Sequence, residues 1–482
     1  MARVPASKND GGSLMPCLSR LAAIGCALFL SILPAQAETL EQAVEYGLVP
    51  AVHVSGTPQR FDLIDRMDWY HVPALSLAVI DGGKVVFARA YGDSVTTDTL
   101  FQSASLSKPV TAVGVMRLVD QGKLDLDTDI TRYLTSWTLP GGVQSAEKPA
   151  TIRGILAHTA GFTVHGFDGY APGEPVPTMV QILSGVAPAN SGAILIDKTP
   201  GESWRYSGGG YVVLQQLLED VTGENFSALM QAEVLSPAGM TGSSFAQLLP
   251  APKQQLQAKA HDHLGRERPT HVYPEEAPAG LWTTPTELSR LLIDVMASVR
   301  GEKGILTSEA ATEMAKQQTE GMGLGFASDG EGENLRLSHG GSNKGFKALM
   351  FAYPDRDQGF VLMTNGDGGT HLQLEVGRAL AAHFGWPDMA PKTADMAALT
   401  NADAAVIEGN YWIEKYGFGF TLKQVGDGYV VTTGRGSRYL AYPTGDGSFI
   451  FREDGQPMKL LRGDDGAVSL ELWGAVATKK LN

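Results

Sequence analysis

Hydrophobic positions along this chain change pattern several times, and each change predicts an element. Residues 75–80 (LSLAVI) and 84–90 (KVVFARA) are two β-rich runs flanking Asp81-Gly82-Gly83, which predicts a hairpin. A second hairpin is predicted from residues 346–353 and 359–364 around the turn that begins at Pro354. Between them the chain reads as helix and loop, with helical segments at 211–221 and 284–299. Val110, Ala112, Val113, Val115, Met116, Leu118 and Val119 leave almost no polar face, so this stretch predicts a buried helix, with Gly122 as its stop. Strands at both ends with helices between imply an α+β fold, an antiparallel sheet packed with helices rather than a βαβ design.

Beyond Glu408 the pattern becomes one of short strands separated by Gly/Asp turns: 418–425, 429–433, 438–442, 449–451, 460–462 and 468–473. That regular spacing predicts a small C-terminal all-β domain, a sandwich or a barrel, with an accessory or lid role. A linker is expected from Gly385-Trp386-Pro387 to Pro391-Lys392, dividing a domain at 40–388 from one at 400–482.

Residues 1–37 read as a secretory signal. Arg3, Lys8 and Arg20 precede an apolar run at 21–33, and Ala35-Gln36-Ala37 is a small-residue cleavage site before Glu38. The run is short for a membrane span of about 20 residues. Export to the periplasm or beyond is therefore expected, with no stable membrane span once the signal is removed. Met15 is an alternative start, and Gly25-Cys26 is a poor lipid-acceptor site because the apolar run continues past it. Both cysteines, Cys17 and Cys26, fall within this segment, so neither disulfides nor thiol chemistry would carry the mature protein's function. Of the 482 residues, 43% are hydrophobic and 19% charged, as in a globular protein. Losing Arg3, Lys8, Arg20 and Asp10 takes the formal net charge from −14 to −16. Such an acidic protein is a poor partner for nucleic acid or anionic lipid.

The candidate chemistry starts at Ser105-Leu106-Ser107-Lys108, at the mouth of the buried helix. Residues i and i+3 share a helix face with Cβ atoms about 5–6 Å apart, so the lysine amine can reach the serine oxygen. Serine is a weak nucleophile without a neighbouring base, and an amine desolvated near a helix N-terminus can act as one. The spacing alone also fits a serine that merely caps a helix. Ser145-Ala146-Glu147-Lys148 repeats it between Gly142 and Pro149, where a solvated loop is expected.

Two later segments add to Ser105: Tyr206-Ser207-Gly208, leading into an apolar helix, and His339-Gly340-Gly341-Ser342-Asn343, before the strand from Phe346. In this order the three elements resemble those of the penicillin-recognising serine hydrolases: class C-type β-lactamases, D,D-peptidases, D-aminopeptidases and related esterases. The phrases Leu156-Ala157-His158-Thr159-Ala160-Gly161-Phe162, Ala279-Gly280-Leu281-Trp282-Thr283-Thr284-Pro285 and Thr364-Asn365 look similar too, so the likeness runs over about residues 45–385. The resemblance implies that Ser105 attacks a carbonyl while Lys108 and Tyr206 share its proton. It also implies an oxyanion hole from the backbone N–H groups of Ser105 and Ser342, with His339 and Gly341 beside the substrate.

Two positions depart from the family pattern. Gly208 stands where lactamases and D,D-peptidases carry an asparagine, and His339 where they carry a fixed positive lysine. Both changes point away from β-lactams and towards esters or small amides and peptides. The β-lactamase, D,D-carboxypeptidase and D-aminopeptidase readings stay open beside that one. So does a non-catalytic cell-wall binding protein, although Ser105, Lys108 and Tyr206 are all present. His158 is expected to be a buried supporting residue. His261, His263 and His271 do not complete a metal set, Lys198-Thr199-Pro200 is out of order, and no Gly-x-Ser-x-Gly element occurs. No metal or cofactor is called for, and the oligomeric state is open.

Overall fold

The alternation in the two hairpins becomes the two faces of one central sheet. The computed structural model describes residues 38–464 and 466–480; the predicted signal lies outside the described residues. The strands are β1 (Leu75–Asp81), β2 (Lys84–Tyr91), β3 (Ala327–Asp329), β4 (Arg336–Asn343), β5 (Phe346–Tyr353) and β6 (Gln358–Thr364). They lie side by side in the order β2-β1-β6-β5-β4-β3, every neighbour antiparallel.

Successive side chains point to opposite faces. Leu75, Leu77, Val79, Phe360 and Leu362 enter one core with Leu372, Val376 and Leu380 of helix α4 (Gly369–Phe384). Ile80, Val361 and Met363 enter a second core with α1 (Ser107–Asp120), α2 (Gly208–Thr222) and α3 (Pro285–Val299). Helices cover both faces, which is why the strands read as nearly unbroken apolar runs. The mixed helix and sheet fold is the one expected.

The C-terminal segment is a barrel rather than a sandwich. Its strands are β7 (Gly409–Ile413), β8 (Phe418–Val425), β9 (Gly428–Thr433), β10 (Arg438–Gly445), β11 (Ser448–Phe451), β12 (Pro457–Arg462), β13 (Val468–Leu472) and β14 (Ala475–Lys479). They run in sequence order and close through β7 against β14, with Tyr411, Trp412 and Ile413 opposite Lys479, Thr478 and Ala477.

The expected linker is not a free one. Trp386 is buried, stacks on Phe360 and Phe384, and donates its indole N–H to Gln358. Lys392–Ala394 then runs as a strand parallel to Val52–Val54. This stretch is stitched to the N-terminal part of the fold because it carries a large apolar side chain and extended residues that find partners there.

A buried polar knot fastens the barrel. Arg66 of the helix Leu63–Tyr70 donates through Nε and one terminal nitrogen to both oxygens of Glu375 on α4, each at 2.7 Å. Tyr70 donates to the same carboxylate at 2.8 Å. On the barrel side Glu453 lies 3.5 Å from Arg66, accepts from Arg452 at 3.0 Å and accepts the Leu440 backbone N–H at 2.8 Å. Arg66, Glu375 and Glu453 are all buried. Removing one partner of a buried ion pair costs about 3–5 kcal/mol, because it strands the other charge. Arg66→Met is therefore expected to lower unfolding free energy in urea by about that amount, with Glu375→Gln in the same chain restoring part of it.

Candidate active site

The nucleophile sits on a clamped turn. Phe101–Gln102 pairs with Trp282–Thr283, and Ser103 donates its N–H to Leu281 at 2.9 Å. Ala104 then adopts φ +51°, a left-handed conformation that costs a non-glycine residue about 1–2 kcal/mol. The Ser107 hydroxyl holds the bend, donating to the Ala104 carbonyl at 2.6 Å and accepting the Leu281 N–H at 3.0 Å.

Ser105 lies within the tight turn Ala104–Leu106, and α1 begins only at Ser107. It is thus not a cap; its hydroxyl faces Lys108. Lys108 Nζ lies 3.1 Å from Ser105 Oγ and donates to the Pro278 carbonyl at 3.0 Å. The lysine is only 2% exposed, and its nitrogen lies over the Tyr206 and Tyr211 rings, 4.8 and 5.6 Å from their centroids. Pro278 was not legible as part of the site, since a carbonyl acceptor leaves no mark in a sequence. At the repeat, Ser145 lies in an irregular loop and Lys148 Nζ pairs instead with exposed Glu202 at 2.9 Å.

β4 supplies the opposite wall, and the His339-Gly340-Gly341-Ser342 motif lies on the strand itself. β3 pairs with β4 only as far as Ser338, so the nucleophile turn can approach the rest of that edge. The approach requires glycine: a Cβ on Gly341 would stand 2.3 Å from the Ser103 carbonyl oxygen and 3.1 Å from Leu106 Cδ1. Asn343 ties the strand down, donating to Gln102 at 2.8 Å and to the Ala279 carbonyl at 3.1 Å.

His339 holds its Nδ1 2.7 Å from the Gly340 carbonyl. A carbonyl can only accept, so Nδ1 carries the hydrogen and Nε2 keeps its lone pair. Desolvation by the cleft walls, and then the charge of Lys108, push this imidazole down to about 3, so it is neutral at physiological pH.

Tyr206 completes the group. Its ring lies 4.4 Å from that of His158 and 4.9 Å from that of His165, and its hydroxyl has no hydrogen-bond partner among the described residues. His158 is the buried support expected: its Nδ1 accepts the Ser207 N–H at 3.1 Å, and burial holds the imidazole well below its ordinary range. Ser207 caps α2 by accepting the Gly210 N–H at 3.0 Å.

Gly208 shows why no asparagine is there. A Cβ would meet the Phe167 ring at 3.0 Å and the His165 carbonyl at 3.1 Å, so a phenyl ring crowds that place. Phe167 and His165 escaped the sequence reading because they come from a loop with no motif of its own. Trp204, half exposed, forms an edge contact with His158.

Ser105, Lys108, Tyr206, His339, Gly341 and Ser342 line one cleft of about 670 Å³. His261 and His271 lie apart from it, with their Nδ1 atoms 3.0 and 2.9 Å from the carbonyls of Asn365 and Asp168. Among the described residues no cluster of three His, Cys, Asp or Glu side chains could hold a metal.

A cleft with a hydroxyl and an amine in contact, a tyrosine over that amine and a glycine-bearing strand edge opposite defines a class of protein. The chain belongs to the beta-lactamase family, whose model matches residues 62–383, and is a serine hydrolase of that family. It is 27% identical to penicillin-binding protein 4 of Amycolatopsis lactamdurans over 73% of this chain and 96% of that protein. It is 24% identical to penicillin-binding protein 4* of Bacillus subtilis over 82% and 91% respectively. The fold is similar to that of an octameric penicillin-binding protein homologue from Pyrococcus abyssi, with a TM-score of 0.56, 20% identity, and 86% of this chain and 98% of that one covered. A D-stereospecific amidohydrolase from Streptomyces has a TM-score of 0.51 at 22% identity over 65% and 94%.

Gly341→Ala is expected to push the nucleophile turn off β4 and lower kcat/KM about 100-fold, a displacement of roughly 1 Å sufficing for that. The measurement is ester turnover at unchanged melting temperature. A second prediction concerns Glu275, just before the Pro278 loop. It is fully buried, neither carboxylate oxygen has a partner among the described residues, and burial raises its carboxyl to about 7. The unfolded chain releases that proton near pH 4.5, so stability falls as pH rises from there to about 7 and is level above. Glu275→Gln should leave stability at pH 4 unchanged and raise it at pH 8 by on the order of 3 kcal/mol, read from urea unfolding.

Proposed function

We propose that the protein is an exported hydrolase that forms an acyl-enzyme at Ser105 and acts on esters or small amides and peptides, esters foremost. The observation that carries this is the 3.1 Å contact between Lys108 Nζ and Ser105 Oγ in a buried setting. Ser105 Oγ bonds to the substrate carbonyl carbon and its proton passes to the Lys108–Tyr206 pair, which the 3.1 Å contact holds against the hydroxyl. The backbone N–H groups of Ser105 and Ser342 take the developing oxyanion; one such donor is worth about 10²–10³ in rate. The tetrahedral adduct collapses, the bond to the leaving group breaks, and the Tyr206 hydroxyl supplies the leaving group's proton. Water then adds to the acyl carbon and gives its proton to the same pair; the bond to Ser105 Oγ breaks, the acid leaves, and Ser105 takes the proton back.

Two features support ester preference. Phe167 crowds the place where a side-chain amide would hold an acylamino group, so the acyl side of the substrate meets an apolar wall. Neutral His339 offers a lone pair rather than a cation, a poor grip on the carboxylate of β-lactams and D-Ala-D-Ala ends. The names of the curated relatives favour the penicillin-binding reading instead, and substrate ranking decides between them. The predicted signal at 1–37 supports an extracytoplasmic location, which an N-terminus at Glu38 in the secreted protein would bear out.

Ser105→Ala is expected to abolish labelling by a fluorophosphonate probe; full labelling of that variant removes the assignment. The unaltered enzyme should turn over p-nitrophenyl butyrate much faster than nitrocefin, and the reverse order restores the lactamase reading. Gly208→Asn should be tolerated only together with Phe167→Ala, and that double variant should shift the ratio towards nitrocefin by about tenfold, the value of one positioned hydrogen bond.

A further inference from the structure

The barrel carries a second cavity, of about 550 Å³, that shares no residue with the catalytic cleft. Its size lies within the range of about 300–1,000 Å³ usual for small-ligand sites. Four rings form its apolar surface: Tyr416, Phe418, Tyr439 and Trp473. Trp473 lies 5.3 Å from Tyr439, 6.3 Å from Phe418 and stacked at 5.5 Å on buried Phe451, while the Tyr416 hydroxyl donates to the Trp473 carbonyl at 2.7 Å. Polar groups complete the lining, among them His371, Arg435 and Asp454.

Three observations say that this mouth is built for an occupant. Trp473 and Gly474 form the two-residue turn between β13 and β14, with φ +52° and +70°. That turn favours Asn-Gly, and a bulky aromatic residue in it is a backbone outlier of about 1–3 kcal/mol. The chain thus holds an indole over the barrel mouth against its own turn preference. Second, His371 lines the cavity, and its Nδ1 is buried with no hydrogen-bond partner among the described residues, an unsatisfied state that costs about 1–3 kcal/mol. Third, exposed Arg435 makes no hydrogen bond or ion pair among the described residues.

The barrel interior decides the ligand's shape. Tyr411, Phe420, Tyr429, Phe449, Met458 and Leu470 fill it, all buried. With these side chains packed inside, the occupant is expected to lie across the mouth, against the rings. A flat apolar face ringed by donors and acceptors fits a sugar ring, which presents axial C–H bonds to an aromatic surface and hydroxyls around its edge.

We infer that this mouth is a saccharide-binding site, in which a sugar ring stacks on Trp473 and Tyr439 and its hydroxyls bond to His371, Arg435 and Asp454. The site is placed to serve the cleft. A smaller cavity of about 270 Å³ shares His371 and Tyr439 with it, and shares Thr370 with the cleft. The three cavities follow one another past the first turn of α4.

The test is isothermal titration of the full chain with cellotriose, maltotriose and chitotriose, and separately with dodecanoate. Saturable binding of at least one trisaccharide is expected, weakened at least about tenfold in Trp473→Asn, since loss of a stacked aromatic face is worth about that factor. Asparagine suits the turn better than tryptophan, so this variant should fold; Tyr416→Ala, at an exposed position, is the second variant with the same expectation. Flat titrations with all three sugars, dodecanoate binding in their place, or sugar binding that neither variant weakens would each overturn the inference.

Discussion

The site depends on how closely the turn bearing Ser105 lies against the edge of β4. Ser103 presents its carbonyl to Gly341 at a distance that no Cβ could share. The turn is bent by Ala104 in a left-handed conformation and held there by the Ser107 hydroxyl. Three constraints therefore meet at one backbone segment: a strand edge left bare beyond Ser338, a glycine on that edge, and a hydroxyl that satisfies the bend from inside. Strain of this kind persists only where the surroundings over-determine it. Here the surroundings are the Leu281 backbone, the Gln102–Asn343 bond and the packed base of α1.

Around that turn the protein keeps charges scarce. Lys108 is buried between a hydroxyl, a carbonyl and two tyrosine faces, and among the described residues no carboxylate pairs with it. Desolvation first, and then its charge, hold His158 and His339 in their neutral forms. A neutral His339 with its hydrogen committed to Gly340 leaves the cleft with a hydrogen-bond acceptor where a cation would grip a carboxylate. Phe167 acts in the same direction from the other wall. The cleft thus has a neutral imidazole at His339 and a crowded glycine at Gly208, where the family pattern has a fixed charge and a side-chain amide.

The barrel is tied to the hydrolase fold through groups that would be costly to bury singly. Arg66 and Glu375 meet in a two-pronged pair, and Glu453 brings the barrel into the same knot. Such a knot contributes less net energy than apolar packing would, but it fixes one relative placement, because any other leaves buried charge unpaired. That placement sets the mouth of the barrel beside the first turn of α4, whose opposite flank lines the catalytic cleft.

Much of this was legible in the residues. The two hairpins of the sheet, the buried helix after Ser105 and the turn-rich strands after Glu408 follow from local periodicity, and the structure contains them within a residue or two at most ends. The six expected site residues converge in one cleft, because their motifs carry their surroundings with them in order along the chain. What local pattern could not contain was anything made by distant partners. β7 and β14 were not foreseen as strands, since each completes its pairing only by meeting the other about seventy residues away, and their meeting turns a possible sandwich into a closed barrel. Trp386 and Lys392 read as linker until their partners at Phe360 and Val52 are known. The sequence by itself determined which residues carry the candidate chemistry, because three motifs in order single out Ser105 and Lys108 where the spacing alone, repeated at Ser145, does not. Only the tertiary structure decided what surrounds them: a phenyl ring crowding Gly208, a neutral His339 and a carbonyl holding the lysine. Each arises from segments brought together by packing rather than by their order in the chain.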